Sequence, residues 1–120
     1  MAVSEGICSS TAQERTRTIR NLNDRFRRSF EGGSVVVTHG VQSLGPCAVL
    51  VILQAVAKYR GFGRANDPYG EHDFGGFEWR DQTIFWKIDY FDPSMEAGSP
   101  DPADTELTSR VLTIMLASEY

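Results

Sequence analysis

Cysteine is nearly absent: the 120-residue chain has only Cys8 and Cys47. One lies in a tail-like segment and the other at a helix start, which makes no disulfide framework and points to free thiols in a reducing cytoplasm. Cys47 beside a helix N-terminus would favour its thiolate, yet a small residue opening a helix explains it better, and no histidine stands at a spacing that would make it a nucleophile. Long apolar runs are missing too. "CAVLVILQAVA" is too short to span a bilayer, and no basic-then-apolar opening resembles a signal peptide. No serine sits in a G-x-S-x-G elbow. The G-x-G of "GFGRANDPYG" follows a helix instead of a strand, which removes the dinucleotide reading.

What is present suits one ordinary globular domain, with 41% hydrophobic and 23% charged residues. The expected organisation is a disordered tail over 1–9 and a single domain over 10–120. Charge is polarised along the chain. Thr11 to Phe30 carries six arginines against Glu14 and Asp24, whereas Asn66 to Glu106 carries eleven acids against Arg80 and Lys87. Such a chain repels nucleic acid from one region and offers it, or an acidic protein, a contact in the other.

Periodicity predicts the order α-β-α-β-β-α. Ile19, Leu22, Phe26 and Phe30 recur at helical steps from about Ser10, and "EGG" closes that helix. "SVVVT" reads as a strand and "HGVQSLG" as a turn. Pro46 opens a helix to Tyr59 whose face is Val49, Leu50, Leu53 and Val56. Two strands follow: His72 to Trp79, with His72 and Phe74 on one face and a bulge at Gly75-Gly76, then "TIFWKIDY", with Ile84, Trp86, Ile88 and Tyr90 facing one way and Phe85, Lys87 and Asp89 the other. Asp101 and Pro102 suit the cap and first turn of a final helix to Ser118, with Leu107, Val111, Ile114 and Met115 as its stripe. The fold class is α+β: a small, mostly antiparallel sheet of about three strands packed with three helices.

The segment "NDPYGEHDFG", Asn66 to Gly75, concentrates the chemistry-bearing side chains. An enzymatic reading gathers His39, Asp67, Glu71, His72, Asp73 and Asp89 as a metal-dependent hydrolase, with His39, His72 and Asp89 as its core. Spacing opposes it, because adjacent His72 and Asp73 point to opposite faces of a strand. Turn chemistry accounts for Asn66-Asp67-Pro68, Gly70 suits a positive φ, and His72 beside aromatics suits a hydrogen-bonded structural histidine. No cofactor and no metal ligand set is expected.

"RTIRNLNDRFRRSF", "NDPYGEHDFG", "FWKIDY" and "SPDPAD", with "RVLTIMLASEY" at the end, resemble a family of small bacterial proteins of unknown function, frequent in alphaproteobacteria and often encoded on plasmids or integrated elements. The resemblance runs from about Arg17 to Tyr120. It implies no activity; its mobile-element setting implies a role such as neutralising host defence, in the manner of an anti-CRISPR or anti-restriction inhibitor. The acidic stretch agrees with that role, since acids alternating with rings can imitate a nucleic-acid backbone in a basic groove. The resulting expectation is a non-enzymatic cytoplasmic binding protein whose partner is a host protein or ribonucleoprotein with a basic groove, contacted through Glu71, Asp73, Glu78, Asp89 and Asp92. Glu71 and Asp73 are expected to point outward. The alternative is a DNA-binding autoregulator using Arg17, Arg20, Arg25, Arg27 and Arg28 of the first helix.

Overall fold

A computed structural model describes residues 11–120; the expected tail over 1–9, with Cys8, lies outside them. The first helix, α1, spans Ala12–Ser29. Thr11 caps it: its hydroxyl accepts from the Glu14 amide, and the Glu14 carboxylate accepts from the Thr11 amide. This reciprocal box satisfies two otherwise orphaned donors and is worth about 1 kcal/mol. The helix ends at Phe30, which takes a left-handed φ of 60°. Ile19, Asn23, Phe26 and Arg27 form its buried stripe.

Strand β1 (Gly33–Val37) follows, then a single turn of helix, α2 (His39–Gln42), and α3 (Pro46–Ala57). Strands β2 (Phe74–Trp79), β3 (Gln82–Phe91) and β4 (Ser109–Leu116) complete one four-stranded sheet in the order β1-β4-β3-β2. β1 runs parallel to β4, and the other pairs are antiparallel. The fold is thus α+β, with four strands where three were expected.

The fourth strand replaces the expected final helix. Residues 109–116 place Arg110, Leu112, Ile114 and Leu116 opposite Tyr90, Ile88, Trp86 and Ile84 of β3, a period of two that the apolar positions satisfy as well as a period near four. β-branched Val111, Thr113 and Ile114 tip the balance toward extended backbone. The Asp101 carboxylate does accept an amide, that of Ala103, but in a local turn, and only a short 3₁₀ turn at Thr105–Leu107 precedes the strand. No helix among the described residues is long and apolar enough to cross a membrane.

The core lies on one side of the sheet. Phe26, Val41, Ile52 and Val56 of the helices pack on Ile84, Trp86, Ile88, Leu112 and Ile114. α3 buries Ala48, Ile52 and Val56, while Leu50, assigned to the buried face by sequence, is 62% exposed. No bulge interrupts β2: Gly75 pairs with Trp86 and Gly76 with Phe85 in continuous register. The glycines are needed for close approach. A Cβ at Gly75 would stand 2.6 Å from Trp86 Nε1 and 2.7 Å from the Tyr59 ring. The opposite side of the sheet carries Val36, Phe74, Glu78, Phe85, Lys87, Asp89, Val111 and Thr113, with Met115 buried opposite Phe85 near the C-terminal 3₁₀ turn (Ala117–Glu119). This face is uncovered in the sense that the helices that build the core pack on the other side.

Candidate functional surfaces

Asn23 and Asp24 of α1 reach the 66–73 loop and, with Arg27 beside them, build two networks there. In the first, His72 Nδ1 lies 2.9 Å from Asp24 Oδ1, and its Nε2 lies 3.7 Å from Asp67. The His72 ring stacks on Phe62 at 3.7 Å, nearly parallel. His72 takes a φ of 56°, and its amide donates to the Asp67 carboxylate at 3.0 Å. A left-handed histidine costs free energy; Asp67 and Asp24 hold it there from the main-chain and side-chain ends. Arg27, 1% exposed, donates to the Val56 carbonyl, the Tyr59 carbonyl and Asp24. Its guanidinium also lies over the Phe62 and Trp86 rings. Burial raises the Asp24 carboxyl, but Arg27 and His72 outweigh it and hold the group below its ordinary range.

The second network centres on Asn23, fully buried. Its amide donates to the Glu71 carbonyl and the Tyr90 hydroxyl, and its oxygen accepts from Arg110 Nε at 2.7 Å. The Tyr90 hydroxyl donates in turn to the Glu71 carboxylate at 2.8 Å, and Arg110 also donates to the Pro102 carbonyl. Burial pushes the Tyr90 phenol well up and lowers the Arg110 guanidinium.

These contacts correct the sequence reading at several residues. Glu71 turns inward to Tyr90. Phe74 lies with Phe85 on the uncovered face, away from the core that His72 borders. Arg27 leaves the proposed basic patch entirely, because its charge is consumed inside. The metal triad does not assemble. His39 begins α2 beside the Ile114 end of β4, Asp89 pairs at the Val111 end and projects from the uncovered face, and His72 is held in the helix layer. Among the described residues no group of three or more His, Cys, Asp or Glu side chains is arranged to hold a metal ion.

The remaining acids divide. Asp73 is half-buried, and burial together with the Glu71 charge pushes its carboxyl up. Asp92 folds the turn after β3, accepting from the Ser94 hydroxyl and the Glu96 amide. Glu78 and Asp89 stand on the uncovered face, Glu78 accepting from Thr83 and Asp89 lying 3.3 Å from Lys87. Between them Phe74, Phe85 and Tyr120 form a ring cluster with centroids 5.3–5.7 Å apart. Sequence alternation had put Phe85, Lys87 and Asp89 on one side; nothing in it brought Tyr120 to them. Tyr120 arrives because Glu119 accepts from Thr38, Gly40 and Leu116 and fixes the chain end against α2.

Of the basic set, Arg17, Arg25 and Arg28 are exposed, and Arg20 donates to the Gly70 carbonyl. Lys58 and Arg60, exposed at the end of α3, share cavity walls with Arg28. No periodicity places that loop against α1, so neither residue stood out in the sequence.

No curated protein and no solved structure matches the chain. One family model does, described as a protein of unknown function, DUF3768, over residues 37–119. The match takes in β1's end through β4 and both networks' loop residues, and leaves out α1, which the sequence resemblance had included. With well over half of its length matched, the chain belongs to the DUF3768 family.

Proposed function

We propose that the chain is a non-enzymatic binding protein that docks a basic partner surface through the uncovered face of its sheet. The observation that carries the reading is the pairing of a ring cluster, Phe74, Phe85 and Tyr120, with Glu78 and Asp89 on the face opposite the helix-packed core. Aromatic anchors at the centre of a patch and charges at its margin are the anatomy of a protein contact. The groups that would make an acid–base site are already engaged: His72, Asp24, Asp67, Glu71 and Tyr90 are bonded to one another or to buried arginine and asparagine. The partner class that fits is a nucleic-acid-handling complex of a host defence system, whose basic groove the chain would occupy as an inhibitor.

The test is capture from host lysate by the wild-type chain and by Glu78→Lys/Asp89→Lys. The expected result is a nucleic-acid-binding partner held by the wild type, released by salt, and lost in the double variant while circular dichroism is unchanged. Equal capture by both proteins rejects the sheet face as the contact.

A further inference from the structure

We propose that the cleft between the C-terminal turns of α1 and α3 binds the phosphate groups of a nucleotide-sized ligand. Arg28, Ala57, Lys58, Tyr59 and Arg60 line a cavity of about 470 Å³. A second cavity of about 310 Å³ shares Arg28, Tyr59 and Arg60 with it and reaches Arg27, Phe62 and His72. Both fall within the span of small-ligand sites, roughly 300–1,000 Å³. No carboxylate lines either one.

Three exposed cations from two separate elements thus converge on one concavity, in a chain whose net charge is −4. Their mutual repulsion is relieved by an anion between them, and arginine with lysine supplies both forked and point-charge donors to phosphate oxygens. Asp24 is the nearest competitor, 4.0 Å from Arg28. Its carboxylate is already taken by Arg27 at 2.9 Å and by His72.

Two further features prepare the cleft. The end of a helix ordinarily repels anions, because its last carbonyls carry the negative pole of the dipole. Here buried Arg27 donates to the carbonyl of Val56 in the last turn of α3 and to that of Tyr59 just beyond it, which offsets the α3 pole. The wall is also fixed. Tyr59 packs edge-on against Phe62 and Trp86, its hydroxyl donates to the Gly61 carbonyl, and Asn66 donates to that hydroxyl. With Tyr59 turned inward, Lys58 and Arg60 stay on the solvent side. A ligand meets cations on an ordered rim, which lowers the ordering cost of binding. The cleft lies in the helix layer, away from the uncovered sheet face, so it stands or falls independently of the docking proposal.

Phosphate can come from a free nucleotide or from the end of a nucleic acid, and calorimetry separates them. The probes are pyrophosphate, ADP, adenosine and a short 5′-phosphorylated single-stranded oligonucleotide, titrated into the full chain at low ionic strength. Pyrophosphate and ADP are expected to bind while adenosine does not. Comparable affinity for ADP and the oligonucleotide identifies the free nucleotide as sufficient; much tighter oligonucleotide binding, still phosphate-dependent, identifies a nucleic-acid end as the source. Arg28→Gln or Lys58→Gln alone should weaken binding roughly tenfold, as loss of one charge-assisted bond does, and the triple variant with Arg60→Gln should abolish it. Melting temperature should not move, since all three side chains are exposed. No binding of any phosphate at millimolar concentration, or binding unchanged in the triple variant, overturns the proposal.

Discussion

The two sides of the sheet spend their polar groups differently. On the helix side, at the 66–73 loop, most polar groups answer one another: Asp24 meets Arg27 and His72, and Asn23 meets Glu71, Tyr90 and Arg110. Half-buried Asp73 is the exception, its carboxyl pushed up by burial and by the Glu71 charge beside it. On the uncovered side, Glu78 and Asp89 have only short local partners, Thr83 and Lys87, and stand next to aromatic rings. Charge density along the sequence does not separate these roles, for "GEHDFG" looks more like a site than "FEWRDQ". Burial separates them. A charge inside a protein must be paired because desolvation is costly, so the densest cluster of ionisable residues became structural. The sparser acids were left to the surface.

The comparison is broken most forcefully at Arg27. Arg27→Met leaves the partly buried Asp24 without its guanidinium and strips the Val56 and Tyr59 carbonyls of their buried donor; the expected loss in urea unfolding is about 3 kcal/mol. Next comes Gly75→Ala, whose added methyl meets Trp86 and Tyr59 and should cost about 1–3 kcal/mol by overpacking. The double reversal Glu78→Lys/Asp89→Lys, on the other side, should change stability by no more than about 0.5 kcal/mol. If it destabilises as much as Arg27→Met, the two faces do not differ as described.

A sharper version uses pH, because two carboxylates near the loop shift in opposite directions. Asp24 is held below its ordinary value of 3.8. The unfolded chain then binds more protons in that window, so the Asp24 contribution is complete above pH 3.8 and is lost as the pH falls through the folded value. Asp73 is pushed above 3.8. Its contribution is complete below that value and is lost as the pH rises through the folded pKa. Unfolding curves across this range should therefore show Asp24→Asn less stable than wild type at neutral pH, with a shallower acid decline. Asp73→Asn should be more stable than wild type at neutral pH. The same sign for both variants would contradict the assigned environments.

Much of the fold was legible in the sequence. The first helix, the Pro46 helix and the alternation of "TIFWKIDY" rest on local patterns that the packing reinforces, whereas the Thr11–Glu14 cap was not read from the sequence. The last element was misread because "TELTSRVLTIML" satisfies a helical stripe and a strand face together; its β-branched residues lean toward the strand, and pairing with β3 and β1 completes the choice. The candidate surfaces were less legible. Arg27 sits in a run of arginines with nothing to mark it as buried, and its partners Val56 and Tyr59 lie about thirty residues away. Glu71 was expected to face outward from strict alternation, but the loop is not extended there: Gly70 and His72 both have positive φ. Tyr120 and Lys58 join their neighbours only through tertiary contact.

Carboxyl footprinting with a water-soluble carbodiimide tests the central claim most directly, since it reads both sides of the sheet in one sample. In the free protein Glu78 and Asp89 should be modified and Asp24 and Glu71 spared. With the captured partner bound, Glu78 and Asp89 should become protected while Asp24 and Glu71 stay as they were. Unchanged modification of Glu78 and Asp89 in the complex would contradict the assignment of the uncovered sheet face as the binding surface.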